Sequence, residues 1–325
     1  MKPVVFLPES IAPAGMDLLR EHCELLIPWQ HGEKRSLESY RKHLYEADAV
    51  VVRLFKITAD DLEKTSRLKV IAKHGVGVDN IDTAAATAKG IPVVHTPLAP
   101  ALAVIEFTIG VMLALGRKIG LADAAIRGDR YGDRLKFMGI EFRGKTLGVV
   151  GLGEIGGGVA RAAAAGLGMK ALAYDPFVDK AKYNGPATIE DSLDEMLPKL
   201  DVLTLHVPLT SGTHHLINAR RLRMLKPACL LINAARGSIV DETAVAEALR
   251  DGGIAGAALD VFEHEPLPAD SPLCRLENVI LTPHIASATP DAMERMALGA
   301  AQGVVDVLEG RRPQWVYNRE LFETA

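Results

Sequence analysis

Residues 146–156 have the sequence Thr146-Leu147-Gly148-Val149-Val150-Gly151-Leu152-Gly153-Glu154-Ile155-Gly156, a short apolar run followed by three glycines at the spacing GxGxxG. A helix-forming run, 159–164, comes next. In this order each glycine has a role: Gly151 permits a tight turn, Gly153 admits a pyrophosphate, and Gly156 lets the helix pack on the strand. The first N–H groups of such a helix favour phosphate. This stretch therefore predicts a dinucleotide-binding unit.

An acidic residue ends the next predicted strand. That strand covers Lys170–Tyr174, and Asp175 follows it, 24 positions after Gly151. A carboxylate at this spacing accepts hydrogen bonds from the ribose hydroxyls and repels a 2′-phosphate. The sequence therefore predicts NAD rather than NADP as the cofactor. The alternative is a structural glycine turn beside a surface aspartate, which leaves the agreement of strand, glycines, helix and acid unexplained.

Composition is that of an ordinary globular protein. The 325 residues are 48% hydrophobic and 24% charged, and the formal net charge is −4. This charge gives no reason to expect nucleic acid or an anionic membrane surface as a partner. Three cysteines are too few for a disulfide or zinc framework, so we expect no metal and a cytoplasmic location. The most apolar stretch, 103–115, contains Glu106 and is too short to cross a bilayer.

Short apolar runs alternate with helical patterns along the chain. The predicted strands begin at Val4, Glu24, Ala49, Lys69, Pro92, Thr146, Lys170, Asp201, Cys229, Gly256 and Asn278. Because these runs lack a period of two, they indicate α/β architecture with parallel strands buried on both faces. The domain changes near Pro97–Pro100, before a helical pattern over 101–119. No clear strand follows the last helical pattern, 290–308, so we expect that helix to pack on the first domain.

Polar side chains follow three of the later strands, and these are the predicted catalytic residues. Arg236, Glu265 and His284 lie beyond the strands that begin at Cys229, Gly256 and Asn278. Because ligands bind outside the carboxyl ends of parallel strands, we expect the three to converge. Arginine holds a carboxylate in bidentate geometry, histidine delivers a proton to a carbonyl oxygen, and glutamate orients the histidine ring. The trio predicts an oxidoreductase for 2-keto and 2-hydroxy acids.

Each of these residues also has a structural interpretation. An arginine after a strand often caps its loop, and Glu263 and Glu265 are both candidates for solvated loop acids. His284, which follows Thr-Pro, is a candidate for a core histidine with satisfied hydrogen bonds. The functional interpretation depends on the shared position of the three residues at strand ends, not on any one of them.

The predicted cofactor site extends beyond the glycine turn. We place His206 and Thr213, which follow the strand from Asp201, on the adenosine side. Asp260 either accepts a hydrogen bond from the nicotinamide carboxamide or caps its own loop. The full set of predicted cofactor-binding residues is Gly151, Gly153, Glu154, Ile155, Gly156, Asp175, His206, Pro208, Thr213, Ala234, Arg236, Asp260 and His284.

Taken together and in order, several segments resemble the D-isomer-specific 2-hydroxyacid dehydrogenase family, in particular its phosphoglycerate dehydrogenase-like branch. These segments are Gly75–Asp82, Gly151–Gly156, Asn233–Gly237, Leu259–Phe262 and Thr282–His284. The resemblance covers nearly the whole chain. It implies an NAD-dependent enzyme that interconverts a D-2-hydroxy acid and its keto acid. The family's catalytic Arg, Glu and His correspond to Arg236, Glu265 and His284, and its cofactor acid corresponds to Asp175.

The resemblance also implies a domain organisation. It predicts two Rossmann-like or flavodoxin-like parallel-sheet domains with a cleft between them. Residues 1–99 plus 289–325 form the substrate-binding domain, and residues 100–288 form the NAD-binding domain. We expect a homodimer through the helix region 100–120 and the short form of the family, without a regulatory domain.

The resemblance further implies the substrate-binding residues. The substrate lies against the backbone amides of Val76 and Gly77, where neighbouring glycines allow a carboxylate to approach. Arg53 and Lys73 occupy the basic positions that meet substrate in the phosphoglycerate branch. His74 either adds a polar group to the pocket or caps its strand.

Three positions depart from the family pattern. Pro100 stands where an asparagine is common, Ala103 where a serine is common, and Phe107 where many relatives have histidine. These replacements remove polar contacts and disfavour phosphohydroxypyruvate. The substrate class stays open between hydroxypyruvate or glyoxylate and 3-phosphoglycerate. Two alternative functions are an NADH-sensing corepressor-like binding protein of the same fold and a dehydrogenase for phosphite or formate.

Overall fold

Two parallel β-sheets organise the chain. The computed structural model describes residues 2–31 and 37–323. The chain divides into two compact units, Met1–Ala101 with Ala288–Ala325, and Leu102–Ser287. The first unit contains a five-stranded sheet and the second a seven-stranded sheet, and all strand pairs are parallel. The predicted fold class, α/β with two parallel-sheet domains, is confirmed.

The strands and helices follow one another in the alternation expected of such sheets. The strands are β1 (Val4–Phe6), β2 (Glu24–Leu26), β3 (Ala49–Val52), β4 (Val70–Lys73), β5 (Val93–Val94), β6 (Thr146–Val150), β7 (Lys170–Tyr174), β8 (Thr188–Ile189), β9 (Val202–Leu205), β10 (Leu230–Asn233), β11 (Gly256–Leu259) and β12 (Val279–Leu281). The helices are α1 (Pro13–His22), α2 (Leu37–Glu46), α3 (Ala59–Lys64), α4 (Thr83–Ala88), α5 (Ala101–Gly116), α6 (Ile119–Arg127), α7 (Glu154–Leu167), α8 (Leu193–Met196), α9 (Ala219–Leu222), α10 (Glu242–Arg250) and α11 (Pro290–Leu308).

The sheet of the first unit has the order β2-β1-β3-β4-β5. Its core is completed by α11, which is the last long helix of the chain and packs on α1 and β4. Small side chains let α11 approach closely: a Cβ added to Gly15 would lie 2.7 Å from the Ala297 carbonyl oxygen, and one added to Gly303 would lie 2.3 Å from Val94 Cγ1. The first unit is therefore built from two separate parts of the chain.

The sheet of the second unit has the order β12-β11-β10-β9-β6-β7-β8. The chain runs outward from β6 through β7 to β8 and then returns to the other side of β6 with β9. The direction of winding therefore reverses between β6 and β9, and ligands of open α/β sheets bind outside the carboxyl ends of the strands at such a point. The loops that follow β6, β7, β9, β10, β11 and β12 all lie at this edge.

One predicted helix is two helices in the structure. The pattern over 101–119 predicts one helix, but α5 ends at Gly116 and α6 begins at Ile119. Lys118 between them has a left-handed backbone, with φ of 52°. A Cβ added to Gly116 would lie 2.4 Å from the ring of Phe142, so this glycine lets the 140–142 segment pack against the end of α5. Hydropathy alone does not reveal such a backbone break.

Other differences from the predicted elements are small. Strand β8 was not predicted, because Thr188–Ile189 is followed directly by two acids and belongs to no apolar run. Strands β4, β5, β9, β10 and β12 each begin one residue later than predicted. No helix in the described part of the chain is both long and apolar enough to span a bilayer.

Candidate active site

The glycine turn after β6 has the geometry that its sequence predicts. Gly151 has φ of 92°, and a Cβ added to it would lie 2.5 Å from the carbonyl oxygen of His206. A Cβ on Gly156 would lie 1.9 Å from the Gly151 carbonyl oxygen, whereas one on Gly153 would meet no atom within 4 Å. The first and third glycines are therefore required by the turn itself. The second leaves open space at the N-terminus of α7, where it is the N-cap residue and has no side chain to occupy the first N–H groups.

Asp175 is fixed beside this turn. Its Oδ2 accepts a hydrogen bond from the N–H of Leu152 at 2.8 Å, and its Oδ1 accepts one from the N–H of Phe177 at 2.9 Å. A carboxylate has about four acceptor sites, so two such bonds leave capacity for ribose hydroxyls. The open N-terminus of α7 and this half-buried acid fit a dinucleotide without a 2′-phosphate.

The loop after β9 carries three predicted cofactor residues, and its own hydrogen bonds shape it. Thr213 Oγ1 donates to the Pro208 carbonyl oxygen at 2.6 Å and accepts from the Thr210 N–H at 2.8 Å. His206 Nε2 lies 2.9 Å from Thr204 Oγ1, and burial lowers the pKa of His206 to about 4. His206 is therefore neutral at pH 7. Pro208 is exposed, and the cofactor contacts of the three residues stay predictions.

His284 and Glu265 form a hydrogen-bonded pair at the carboxyl ends of β11 and β12. His284 Nδ1 lies 2.9 Å from Glu265 Oε2, and the two side chains are 42% and 37% exposed. Burial raises the pKa of Glu265, but the His284 hydrogen bond and charge, the N–H of Phe262 and the charge of Arg236 together bring it below its ordinary value. Glu265 is therefore an anion at neutral pH, and His284 is not a core histidine.

Asp260 holds the loop that carries His284. Its side chain is buried, and its Oδ1 accepts from Thr282 Oγ1 at 2.6 Å and from the N–H of Ile285 at 2.8 Å. Its Oδ2 accepts from the N–H of Ala286 at 2.8 Å. His284 itself has a left-handed backbone, with φ of 54°. These hydrogen bonds show that Asp260 caps the loop after β12, and its contact with the nicotinamide carboxamide stays a prediction.

Arg236 lies in the turn after β10. Asn233 at the end of that strand donates from Nδ2 to the Arg236 carbonyl oxygen at 2.8 Å and accepts at Oδ1 from the N–H of Ala235 at 3.1 Å. Arg236 Nη1 donates to the Ala235 carbonyl oxygen at 2.6 Å. Ala234 is half-buried in the same turn. The asparagine thereby fixes the backbone from which the guanidinium extends.

The turn with Arg236 packs directly on the loop with Glu265. A Cβ added to Gly237 would lie 1.9 Å from the Phe262 carbonyl carbon, so only glycine fits there. This contact and the electrostatic effect of Arg236 on Glu265 show that two of the three predicted catalytic residues share one site. With His284 hydrogen-bonded to Glu265, the structure brings all three together.

Sequence reasoning missed a second His–Glu pair next to this site. His215 Nε2 lies 3.0 Å from Glu263 Oε1, which also accepts from the N–H of Glu242 at 2.9 Å. Glu263 is therefore not a solvated loop acid. No spacing rule links a histidine and a glutamate 48 positions apart, and only the fold reveals their contact.

The predicted substrate residue Arg53 belongs to the first unit, where the loop after β3 meets the loop after β1. The carboxylate of Glu9 accepts the consecutive N–H groups of Arg53, Leu54 and Phe55 at 2.8–3.0 Å. Arg53 Nη1 donates to the Ser10 carbonyl oxygen at 3.4 Å. Because β1 and β3 flank the point where this sheet reverses its winding, the loop lies where ligands of such sheets bind.

Lys73 and His74, at the end of β4, both have internal partners. Lys73 Nζ donates to the Arg53 carbonyl oxygen at 2.5 Å and to Asn80 Oδ1 at 2.6 Å. His74 is buried and donates from Nε2 to the Met293 carbonyl oxygen at 3.3 Å. Burial, with the charge of Arg53, lowers the pKa of His74 to about 4. His74 therefore joins β4 to α11 instead of presenting a polar group at the surface.

The loop of Val76 and Gly77 follows directly. Gly75 has φ of 139°, and its N–H donates to Thr96 Oγ1 at 3.0 Å. His95 Nδ1 donates to the Val76 carbonyl oxygen at 3.1 Å. Val76 is exposed and Gly77 is half-buried, so the loop lies at the surface of its unit.

Among residues 2–31 and 37–323, no three His, Cys, Asp or Glu side chains are grouped so that they could hold a metal ion. The arrangement that the structure does contain is a glycine turn with an acid for a dinucleotide, and an arginine, a glutamate and a histidine at neighbouring strand ends. The fold and this site define a dinucleotide-dependent oxidoreductase.

Comparison with known proteins gives the family. The family model described as D-isomer specific 2-hydroxyacid dehydrogenase, NAD binding domain, matches residues 109–286. A glyoxylate reductase of Thermofilum pendens is 41% identical over 330 residues, covering 99% of this chain and 96% of that protein. A D-3-phosphoglycerate dehydrogenase of Methanocaldococcus jannaschii is 44% identical over 284 residues, covering 86% of this chain. This chain spans 53% of that protein's length.

A solved structure agrees with these sequence relatives. The D-lactate dehydrogenase of Aquifex aeolicus, solved with NAD and lactic acid, superposes with a TM-score of 0.82 at 31% identity, covering 94% of this chain and 96% of that one. The chain belongs to the D-isomer specific 2-hydroxyacid dehydrogenase family, and it is an enzyme with an NAD-binding domain. The predicted family, enzyme class and cofactor class are confirmed.

Proposed function

We propose that the chain reduces a small unphosphorylated 2-keto acid of the glyoxylate or hydroxypyruvate class to its D-2-hydroxy acid with NADH. The observation that carries the proposal is the His284–Glu265 pair, 2.9 Å apart, at strand ends that also bring Arg236 into the electrostatic environment of Glu265. A keto acid presents a carboxylate and a carbonyl oxygen, and this site offers one cation and one proton donor in the same place.

The roles of the residues follow from their protonation states. Because Glu265 is an anion and can only accept, His284 Nδ1 must donate to it, and Nε2 is left for the substrate. Protonated Nε2 donates to the keto oxygen and transfers its proton as that oxygen gains charge. The Arg236 guanidinium binds the substrate carboxylate in bidentate geometry. NADH, when bound, supplies the hydride.

We propose NAD rather than NADP as the preferred cofactor because of Asp175. Its carboxylate is fixed by the N–H groups of Leu152 and Phe177 beside the glycine turn. The negative charge of this carboxylate repels a 2′-phosphate at short range. The other predicted cofactor residues, His206, Pro208, Thr213 and Ala234, belong to the loops after β9 and β10 and are assigned to the same ligand.

The hydrogen bonds of Lys73 support an unphosphorylated substrate. Its ammonium group donates to the Arg53 carbonyl oxygen and to Asn80, which uses two of its three protons inside the first unit. A phosphate group at this position would have to share the ammonium group with these two acceptors. Similarity to a glyoxylate reductase over nearly its full length supports the same substrate class. The N–H groups of Val76 and Gly77 are assigned to the substrate carboxylate, as in a backbone nest.

We also propose the organisation of the whole enzyme. Residues 1–99 with 289–325 bind substrate, and residues 100–288 bind NAD. A homodimer forms through the 100–120 region. Exposed apolar side chains within residues 102–138 support this proposal. These are Leu102, Ile119, Ile126, Tyr131, Leu135 and Met138. The unpaired Cys23, Cys229 and Cys274 support a reducing cytoplasm, and the charge of the chain supports no nucleic acid or membrane partner.

The test is NADH oxidation by the purified protein with glyoxylate, hydroxypyruvate, phosphohydroxypyruvate and larger 2-keto acids. We expect kcat/KM for glyoxylate or hydroxypyruvate to exceed that for phosphohydroxypyruvate at least tenfold. Lys73→Met should lower activity on all of these acids in similar proportion. Selective loss of phosphohydroxypyruvate would instead identify Lys73 as a phosphate ligand and reject the unphosphorylated class. Tight NADH binding without turnover of any of these acids would reject the proposed substrate class. Sedimentation velocity tests the dimer.

A further inference from the structure

Beside the site, His215 connects three loops. Its backbone N–H donates to the Ser238 carbonyl oxygen at 2.8 Å, in the turn that begins with Arg236. Its side chain bonds to Glu263, two residues before Glu265. The loop to which His215 belongs also carries Pro208 and Thr213, which are assigned to the cofactor.

The imidazole of His215 is held firmly. The backbone has a left-handed conformation, with φ of 47°, and the ring of His214 stacks on it with centroids 4.1 Å apart. The segment continues as a parallel β-bridge between Ile217 and Val240. The His215 and Glu263 side chains are 35% and 27% exposed, so their pairing is less screened by solvent than an ion pair at the open surface.

Glu263 connects the fixed ring of His215 to the loop with Glu265. Its Oε1 accepts from the N–H of Glu242, the first residue of α10, at 2.9 Å, and its own N–H donates to Glu242 Oε2 at 3.1 Å. The reciprocal bonds fix both the side chain and the backbone of Glu263. Phe262, immediately before it, donates its N–H to Glu265 Oε1 at 3.2 Å. A shift of Glu263 therefore moves the donor that orients the Glu265 carboxylate.

We propose that His215 is a positioning residue that, through Glu263, couples the cofactor loop 206–218 to the carboxylate of Glu265. His215 fixes the cofactor loop relative to Glu263, and Glu263 holds Glu265 in the position where it orients His284. This proposal rests on the proposed function, since it assumes that Glu265 and His284 act on the substrate and that the loop after β9 contacts NAD.

The test compares variants that remove or keep the hydrogen bond. His215→Leu keeps bulk and removes the donor, whereas His215→Gln keeps an N–H at similar reach. Glu263→Gln tests the acceptor independently should His215→Leu fail to fold. We expect His215→Leu to lower kcat about tenfold and to raise the NADH Kd, measured by fluorescence titration, severalfold. His215→Gln should restore most of both, and His215→Leu combined with Glu263→Gln should be no worse than the more severe single variant.

A matched control is available in the first unit. His22 Nδ1 lies 2.8 Å from Glu309 Oε1, a His–Glu pair of similar distance and exposure. His22→Leu should leave kcat and the NADH Kd unchanged. The proposal is overturned if His215→Leu leaves both quantities within twofold of wild type. It is also overturned if kcat falls only in proportion to the melting temperature and His215→Gln gives no rescue.

One further variant separates this proposal from the proposed function. Glu265→Gln should lower kcat at least as much as His215→Leu while NADH binding is retained. If Glu265→Gln has no effect on turnover, the assignment of the active site fails. If Glu265→Gln reduces turnover and His215→Leu does not, only the coupling through His215 fails.

Discussion

Gly156 lies so close to Gly151 that a Cβ on Gly156 would be 1.9 Å from the Gly151 carbonyl oxygen. The atom it would meet belongs to the backbone of the turn and cannot rotate away. Gly153, between them in sequence, has no atom within 4 Å of a Cβ position, and neither does Gly166 farther along α7. An added methyl group would therefore clash at Gly156 but not at Gly153 or Gly166.

Alanine substitutions at these glycines should therefore separate folding from binding. Gly156→Ala should lower the melting temperature strongly, because the turn must open by more than 1 Å. Gly166→Ala, in the last turn of α7, should stabilise the protein by somewhat less than the gain of about 0.5–1 kcal/mol that is usual in a helix interior. Gly153→Ala should leave stability nearly unchanged and raise the NADH Kd at least tenfold. Thermal unfolding and NADH titration measure the three outcomes, and wild-type affinity for Gly153→Ala would contradict the assigned phosphate site.

Replacing the proton donor should abolish chemistry without abolishing binding. His284→Asn removes the imidazole and should lower kcat by a factor of about 10²–10⁴, the range typical of general acid–base residues. The NADH Kd should stay within about twofold of wild type. His264→Asn changes a neighbouring exposed histidine and serves as the control. Steady-state turnover with the best keto acid is the measurement, and unchanged turnover for His284→Asn would remove the basis of the mechanism.

Cofactor preference should depend on one negative charge. Asp175→Asn keeps the shape of the side chain and an acceptor for one backbone N–H, but it removes the charge that opposes a 2′-phosphate. We expect the ratio of kcat/KM for NADH to that for NADPH to fall about tenfold or more, equivalent to about 1.4 kcal/mol. Asp179→Asn, at an exposed acid farther along the same loop, controls for net charge. An unaltered ratio would mean that residues other than Asp175 discriminate between NADH and NADPH.

The stability of the first unit should depend on pH through His74. Its pKa is about 4 in the folded protein, against an ordinary value of 6.5, so the unfolded chain binds the proton more readily between these values. The contribution of neutral His74 to the free energy of unfolding is complete above about pH 6.5 and is lost as pH falls toward 4. Between pH 7 and pH 5 the loss is about 2 kcal/mol.

Urea unfolding at pH 7 and pH 5 measures this effect. His74→Gln cannot be protonated and should show a smaller fall in the free energy of unfolding between the two pH values. His22→Gln, at an exposed histidine of the same unit, should show nearly the same fall in the free energy of unfolding as wild type. An equal fall for His74→Gln and wild type would show that another group causes the pH dependence.

Sequence patterns predicted the sheets and the glycine turn well because both are determined locally. The buried runs such as 202–205 and the spacing of Gly151, Gly153 and Gly156 carry their own signal within a few residues. The order of polar residues after strands also predicted that Arg236, Glu265 and His284 would meet, since parallel strands end at one edge.

The remaining features depend on contacts between distant residues. The break between α5 and α6 follows from a backbone conformation at Lys118 and from Phe142 packing against Gly116, neither of which has a hydropathy signature. The buried partner of His74 is the Met293 carbonyl oxygen, 219 positions away. The role of Asp260 in holding the loop around His284 likewise exists only once β11 and β12 are paired.

The position of α11 has a consequence for how the protein is made. The first unit cannot cover one face of its β-sheet until residues 290–308 have left the ribosome, because Ala297, Ala300 and Val304 are fully buried against that face. By that time the whole of Leu102–Ser287 has already been synthesised. Domains generally fold as units during synthesis, in the order in which they become complete. The part of the chain that is translated first therefore completes its core only after the second unit has been synthesised.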